Sequence, residues 1–278
     1  MRTVGILFLT AAILGIGGKS ASAQSMPSIT LASTTSTDNS GLFSHILPLF
    51  EAASGISVRV VAVGTGQAIR LAERGDADVL LVHHRPSEEK FVAQGYGLKR
   101  YNLMFNDFVI VGPADDPAEI AGASKATGAF MLISERRAVF ASRGDNSGTH
   151  KMELSLWEKN QVDVSKVSGT WYREVGAGMG ATLNIAAGMR AYTLVDRATW
   201  MSFKNKGAHK ILFQGDPILF NQYGVIAVSH RRHPHIKADL ADQFIRWLIS
   251  DKGTRAILNF TIAGQSVFTP NASKIPLR

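Results

Sequence analysis

Three short segments gather hydroxyls and small residues, one of them with an arginine: Ser33-Thr34-Thr35-Ser36-Thr37, Gly64-Thr65-Gly66 and Arg143-Gly144-Asp145-Asn146-Ser147-Gly148-Thr149. Each follows an apolar run and precedes a helical pattern, so each sits at a strand-to-helix junction. A helix start leaves backbone N–H groups unpaired and carries partial positive charge, which suits it to an anion. Glycine lets the backbone approach closely, hydroxyls donate to oxygen, and Arg143 adds a full charge on a planar fork of donors. Any one junction alone reads as an ordinary helix cap. Three in one chain point to a shared site for a small oxyanion. Asp145 is the awkward member, because a carboxylate repels a dianion unless the anion has a proton to donate, or unless the residue caps the next helix instead.

Other chemistries fit less well. Gly176-Ala177-Gly178-Met179-Gly180-Ala181 matches the G-x-G-x-x-A form of a dinucleotide loop, and Asp196 follows 20 residues later. The helix after that loop reads as short, and Gly64-x-Gly66 has Ile69 where the third glycine belongs. His83-His84 and the group His230, His233, His235 have no H-E-x-x-H or comparable spacing and read as solvated surface histidines. His150, beside the arginine loop, is the one histidine placed to tune the local field. No Ser/His/Asp order or G-x-S-x-G elbow can be assembled, so no catalytic residues are assigned and the chain is not expected to be an enzyme. Basic residues are scattered in ones and twos, with no nucleic-acid motif.

The elements that must position these loops alternate in type. Ile29–Ala32, Val58–Val63, Ala77–Val82 and Phe105–Val111 read as strands, as do Val139–Ala141, Trp171–Val175, Tyr192–Val195 and Tyr223–Val228. Leu42, Phe43, Ile46, Leu47 and Phe50 share one helical face that Gly55 ends, and helices are expected over 67–74, 88–94, 151–159 and 181–189. Leu240, Phe244, Ile245, Trp247 and Leu248 mark a helical return. Strands alternating with helices imply mostly parallel sheets covered on both faces. Turn formers at Gly112-Pro113, Asp116-Pro117 and Asp216-Pro217 mark two boundaries, which suggests one lobe inserted in another with a cleft between them. Ligands of open α/β sheets bind beyond the strands' carboxyl ends, where the three loops lie.

The whole chain has 278 residues, enough for two such lobes, and no cysteine, which excludes disulfides and thiolate metal sites. Arg2, the apolar run Val4–Ile16 and Ala21-Ser22-Ala23 form the pattern of a cleavable export signal over 1–23. That run has 13 residues, whereas a membrane span needs about 20. The balance of 30 Lys+Arg against 22 Asp+Glu gives +8; loss of Arg2 and Lys19 with the signal would leave +6, as 28 minus 22.

The segments STTSTDNSGLF (33–43), VAVGTGQA (61–68), ASRGDNSGTHKMEL (141–154), GAGMGATLNIAA (176–187), AYTLVDRATW (191–200) and FNQYGVIAV (220–228) resemble the tungstate-binding components of ABC importers. The resemblance implies a two-lobed type II periplasmic binding protein fold with a two-strand hinge near Val109–Val111 and Asn221–Gly224. Lobe I would be 24–110 with 222–278, and lobe II 111–221. It implies no cofactor, with tungstate as ligand, held by Thr34, Thr35, Ser36 and Thr65 from lobe I and by Arg143, Ser147 and Thr149 from lobe II. Ser33 stands where that family tends to have threonine. The R-x-D-x-S-G-T pattern at 143–149 also resembles the loop of phosphate-binding proteins, whose aspartate accepts a ligand proton, so phosphate and the near-isosteric molybdate remain alternatives. The family implies a periplasmic monomer that delivers its ligand to an inner-membrane permease driven by an ATPase. It also accounts for Gly176–Gly180 as a cleft lining.

Overall fold

The computed structural model describes residues 26–272, so the expected signal segment 1–23 lies outside the described residues. The chain begins with β1 (Ser28–Thr34), α1 (Thr35–Asn39), α2 (Leu42–Ser54), β2 (Ser57–Val63), α3 (Thr65–Glu73), β3 (Val79–Val82) and α4 (Arg85–Ala93). Then comes the long β4 (Gly97–Pro113), followed by α5 (Ala126–Glu135), β5 (Phe140–Ser142), α6 (Gly148–Lys159), β6 (Tyr172–Glu174) and α7 (Met179–Met189). After β7 (Thr193–Asp196), α8 (Arg197–Ser202) and β8 (His209–Phe213), the chain returns through β9 (Phe220–Val228). It closes with α9 (Ala238–Leu248), α10 (Asp251–Asn259), β10 (Thr261–Ile262), β11 (Gln265–Ser266) and β12 (Thr269–Pro270). No helix among the described residues is long and apolar enough to cross a membrane.

Alternation along the strands builds two covered faces. On β1 and β3, Leu31, Val79 and Leu81 pack with Leu42, Ile46, Phe50, Phe244 and Leu248 on one side. Ala32, Leu80 and Val82 pack with Ala68, Ala72 and Phe91 on the other. Full burial of such side chains stabilises the fold by ~1.5–3 kcal/mol each. Gly55 ends α2 in the left-handed conformation at φ 69°.

β4 changes partners part-way along. It pairs with β9 up to Asp107 and, from Phe108 on, with β7 and β8. Its second half splits its side chains between Phe108 and Ile110, which join Phe130, Phe140, Trp157 and Tyr172, and Val109 and Val111, which join Met179, Leu183 and Trp200. Two lobes with separate cores therefore share β4, and β9 runs beside it. The expected parallel pairing holds for β2-β1-β3 and for β5-β6. β9 runs antiparallel to β3 and β4, and β7 and β8 antiparallel to β4, so the sheets are mixed rather than mostly parallel. The turn formers at Gly112-Pro113 lie at the end of β4.

Candidate oxyanion site

The three loops occupy the junctions expected of them. At the end of β1, Thr34 caps α1: its Oγ1 accepts from the Thr37 N–H at 3.3 Å and lies 2.7 Å from Thr37 Oγ1 and 3.1 Å from Ser36 Oγ. Thr65 and Gly66, expected in a turn, form the first residues of α3; the cap residue Gly64 has no side chain to offer its N–H groups. Ser147 caps α6, its Oγ accepting from the His150 N–H at 3.2 Å.

The loop 143–147 is held by its own charges. Arg143 Nη2 pairs with Asp145 Oδ2, and Arg143 Nε donates to the Ala177 carbonyl at 2.9 Å. Asp145 Oδ1 accepts from the Ser147 N–H at 3.1 Å. Asp145 is thus the counter-ion that orients the arginine; the helix cap is Ser147.

The loops meet. Gly148 N–H donates to Thr65 Oγ1 at 2.9 Å, joining the start of α6 to the start of α3. A Cβ on Gly148 would stand 3.0 Å from His83 Cε1 and 3.2 Å from Thr65 Oγ1, so only glycine allows this approach without displacement. Ser36 Oγ lies 3.1 Å from His83 Nε2, and Thr199 Oγ1 donates to the Ser36 carbonyl at 3.2 Å. Thr35 is half-buried and faces a cavity of about 320 Å³ lined also by Gly64, Gly66, Asp145, Gly176 and Gly178.

Of the expected ligand residues, Thr34, Ser36, Thr65, Arg143, Ser147 and Thr149 are buried, with Arg143 only 1% exposed. Thr149 Oγ1 is buried and has no hydrogen-bond partner, a hydroxyl free for a ligand. Ser33 is spent elsewhere, its Oγ donating to the Leu81 carbonyl at 2.7 Å within the sheet. Gly176–Gly178 line the cavity, as a cleft loop would. The dinucleotide reading fails at Asp196, which is fully buried and caps α8 by accepting from the Thr199 N–H at 3.0 Å.

His83 is the principal correction. Expected on the surface, it is buried and stacked on Tyr223 with ring centroids 4.9 Å apart, and burial lowers its pKa to about 4. It is the first residue beyond the wholly buried β3, a strand's carboxyl end, and that position was the signal available in the sequence. Its neighbour His84 is half-buried and caps α4, with burial and then Lys151 lowering its pKa to about 4. His150 Nδ1 accepts from the Asn146 N–H at 3.0 Å, which stiffens the arginine loop. His233 and His235 bond to the carbonyls of Glu73 and Gly75 at 2.9 and 2.8 Å. Among the described residues no group of three or more His, Cys, Asp or Glu could hold a metal ion. Also unanticipated were Asn106 and Asn221, buried on β4 and β9 behind the loops.

A buried guanidinium, a free hydroxyl and uncapped helix N–H groups at one seam can take the charge and lone pairs of a tetrahedral anion. The PBP superfamily domain model matches residues 20–252. The tungstate-binding protein TupA of Peptoclostridium acidaminophilum is 43% identical over 279 residues, 97% of this chain and 96% of that protein. TupA of Campylobacter jejuni is 36% identical, over 85% of this chain and 88% of its own. The crystal structure of the tungstate ABC transporter from Geobacter sulfurreducens superposes with a TM-score of 0.77 at 48% identity, covering 84% of this chain and 98% of that one. TupA from Desulfovibrio alaskensis superposes with a TM-score of 0.76 at 45% identity, over 89% of this chain and 100% of its own. The chain therefore belongs to the PBP superfamily and, within it, to the TupA family of solute-binding proteins, which bind a ligand and perform no chemistry on it.

Proposed function

We propose that this protein captures tungstate between its lobes and presents it to an ABC importer. The observation that carries the proposal is the Arg143 guanidinium, 1% exposed where the Thr34–Thr37 and Thr65 junctions meet the 143–149 loop. Burying that charge is costly unless an anion shares it, and Asp145 engages only one edge of the fork. Thr34, Thr35, Ser36, Thr65, Ser147 and Thr149 supply hydroxyls around it, with helix N–H groups completing the cage. Dehydrating a dianion demands donors for nearly every ligand oxygen. Relatives named for tungstate at 43% and 36% identity support tungstate over other oxyanions. Molybdate shares its size and charge and would occupy the same cage. Asp145, already engaged by Arg143 and the Ser147 N–H, requires no ligand proton, which supports a fully deprotonated dianion over phosphate.

The ligand is released to a permease in the inner membrane from a monomeric, periplasmic carrier, exported by cleavage after Ala23. Lobe I comprises 24–110 and 222–278 and lobe II 111–221; the change of β4 partners between Asp107 and Phe108 supports this division. Native mass spectrometry of the protein with sodium tungstate tests the function. A single tungstate adduct, lost in Arg143→Ala, is the expected result; no adduct in the wild type would refute the proposal.

A further inference from the structure

A chain of buried side chains runs behind the loops and enters the site at Ser36. His83 Nδ1 lies 2.9 Å from Asn221 Oδ1, and Asn221 Nδ2 donates to Asn106 Oδ1 at 2.7 Å. Asn221 Nδ2 also lies 3.3 Å from Tyr223 Oη. The two faces of the Asn221 amide set the direction of the chain. Asn221 turns its NH2 to Asn106 Oδ1 and its oxygen to His83 Nδ1. His83 therefore carries its proton on Nδ1 and leaves Nε2 bare. The Ser36 hydroxyl, 3.1 Å away, gives its hydrogen to Nε2 and has only lone pairs left for a ligand. A fully deprotonated dianion has no hydrogen to meet them, so in this state Ser36 repels what the site is built to hold.

We propose that oxyanion capture takes a proton from solvent onto His83 Nε2, which turns Ser36 from an acceptor into a donor to the bound anion. Nε2–H then donates to Ser36 Oγ, the Ser36 hydrogen swings to an anion oxygen, and the imidazolium adds positive charge to that of Arg143. The inference rests on the oxyanion reading of the same site. The groups that act on His83 agree with it. Without an anion, burial, Arg143 and His84 disfavour its proton, while the hydrogen bond to Asn221 supports Nδ1–H. Tyr223 covers one ring face as a neutral phenol, its own ionisation suppressed by burial, and Gly148 abuts the ring edge. Lys151 acts on the adjacent His84. A dianion placed beside His83 and Arg143 reverses the local field and makes the extra proton favourable.

The test is calorimetric titration of the protein with sodium tungstate in Hepes and in Tris, whose ionisation enthalpies differ, at about pH 7.5, together with 15N spectra of the histidine rings. About one proton taken up per tungstate, affinity falling by up to about tenfold per pH unit as pH rises, and a His83 ring that becomes imidazolium on binding are expected. His83→Gln presents an amide donor to Ser36 at every pH, so its proton uptake should vanish and its affinity become flat with pH. Wild-type binding without proton uptake, or uptake that survives in His83→Gln, would overturn the inference. If tungstate fails to bind the wild type at all, the oxyanion reading itself falls, and the inference with it.

Discussion

Arg143 and Thr149 differ in what they owe to folding. Arg143 is tied to Asp145 and the Ala177 carbonyl, whereas Thr149 Oγ1 is buried with no partner. Arg143→Ala should weaken tungstate binding by about 2–5 kcal/mol, much of it from anion charge left unpaired in a dry site. Arg143→Lys keeps the charge and loses the fork, and calorimetry should place it between the two. Thr149→Val replaces a hydroxyl that no protein group uses: urea unfolding should show little change, while calorimetry shows about 1 kcal/mol or more of lost binding. A Thr149→Val protein that unfolds early but binds normally would assign that hydroxyl to the fold instead. Their loop was legible in the sequence as a strand-to-helix junction because its chemistry and spacing announce it. His83 was not, because its role depends on partners far along the chain, Asn221 and Asn106, that no local pattern connects to it.

At the scale of elements, α6 carries a proton-linked cost. Glu153 lies beneath the arginine loop, accepting from Tyr172 Oη at 2.7 Å and from the Arg143 N–H at 3.4 Å, and burial pushes its carboxyl pKa up to about 7. A carboxyl pKa raised on folding means that the folded state holds a proton the unfolded chain releases near 4.5. Its contribution to stability is therefore fully present at low pH and declines as pH rises from about 4.5 to about 7. Denaturant titrations across that window should show Glu153→Gln flattening this part of the profile; an unchanged slope would mean that the carboxyl is ionised in the fold. On β9, a Cβ on Gly224 would meet Glu88 Oε2 at 2.1 Å, beside the buried Glu88–Arg100 pair at 2.6 Å. Gly224→Ala should cost about 1–3 kcal/mol in urea unfolding.

The alternation of strands and helices was readable for the same reason that β3 is wholly buried: covered strands are continuous apolar runs. The antiparallel course of β4 and β9 was not, because an apolar run does not encode the direction of its neighbour. α5 escaped because Ala126–Ala129, with Gly128 inside it, gives a weak helical period that only its packing against Trp157 and Ile120 reveals.

At the scale of the whole molecule, two separate cores share β4, with β9 beside it. Contacts between the lobes ring the site: Gly148 N–H to Thr65 Oγ1, and Lys151 Nζ donating to Ser87 Oγ at 2.9 Å. Lys151→Met removes the second without touching the expected anion ligands, so stopped-flow should show faster tungstate release with a smaller change in association. The formal charge of +6 that remains without residues 1–23, as 28 minus 22, would favour anion approach generally, and the proposed cage of buried donors would supply selection. The most direct measurement is a competitive calorimetric series with tungstate, molybdate, sulfate and phosphate. Tungstate binding one to one and displacing phosphate is the predicted result; phosphate displacing tungstate, or no heat from any of the four, would contradict it.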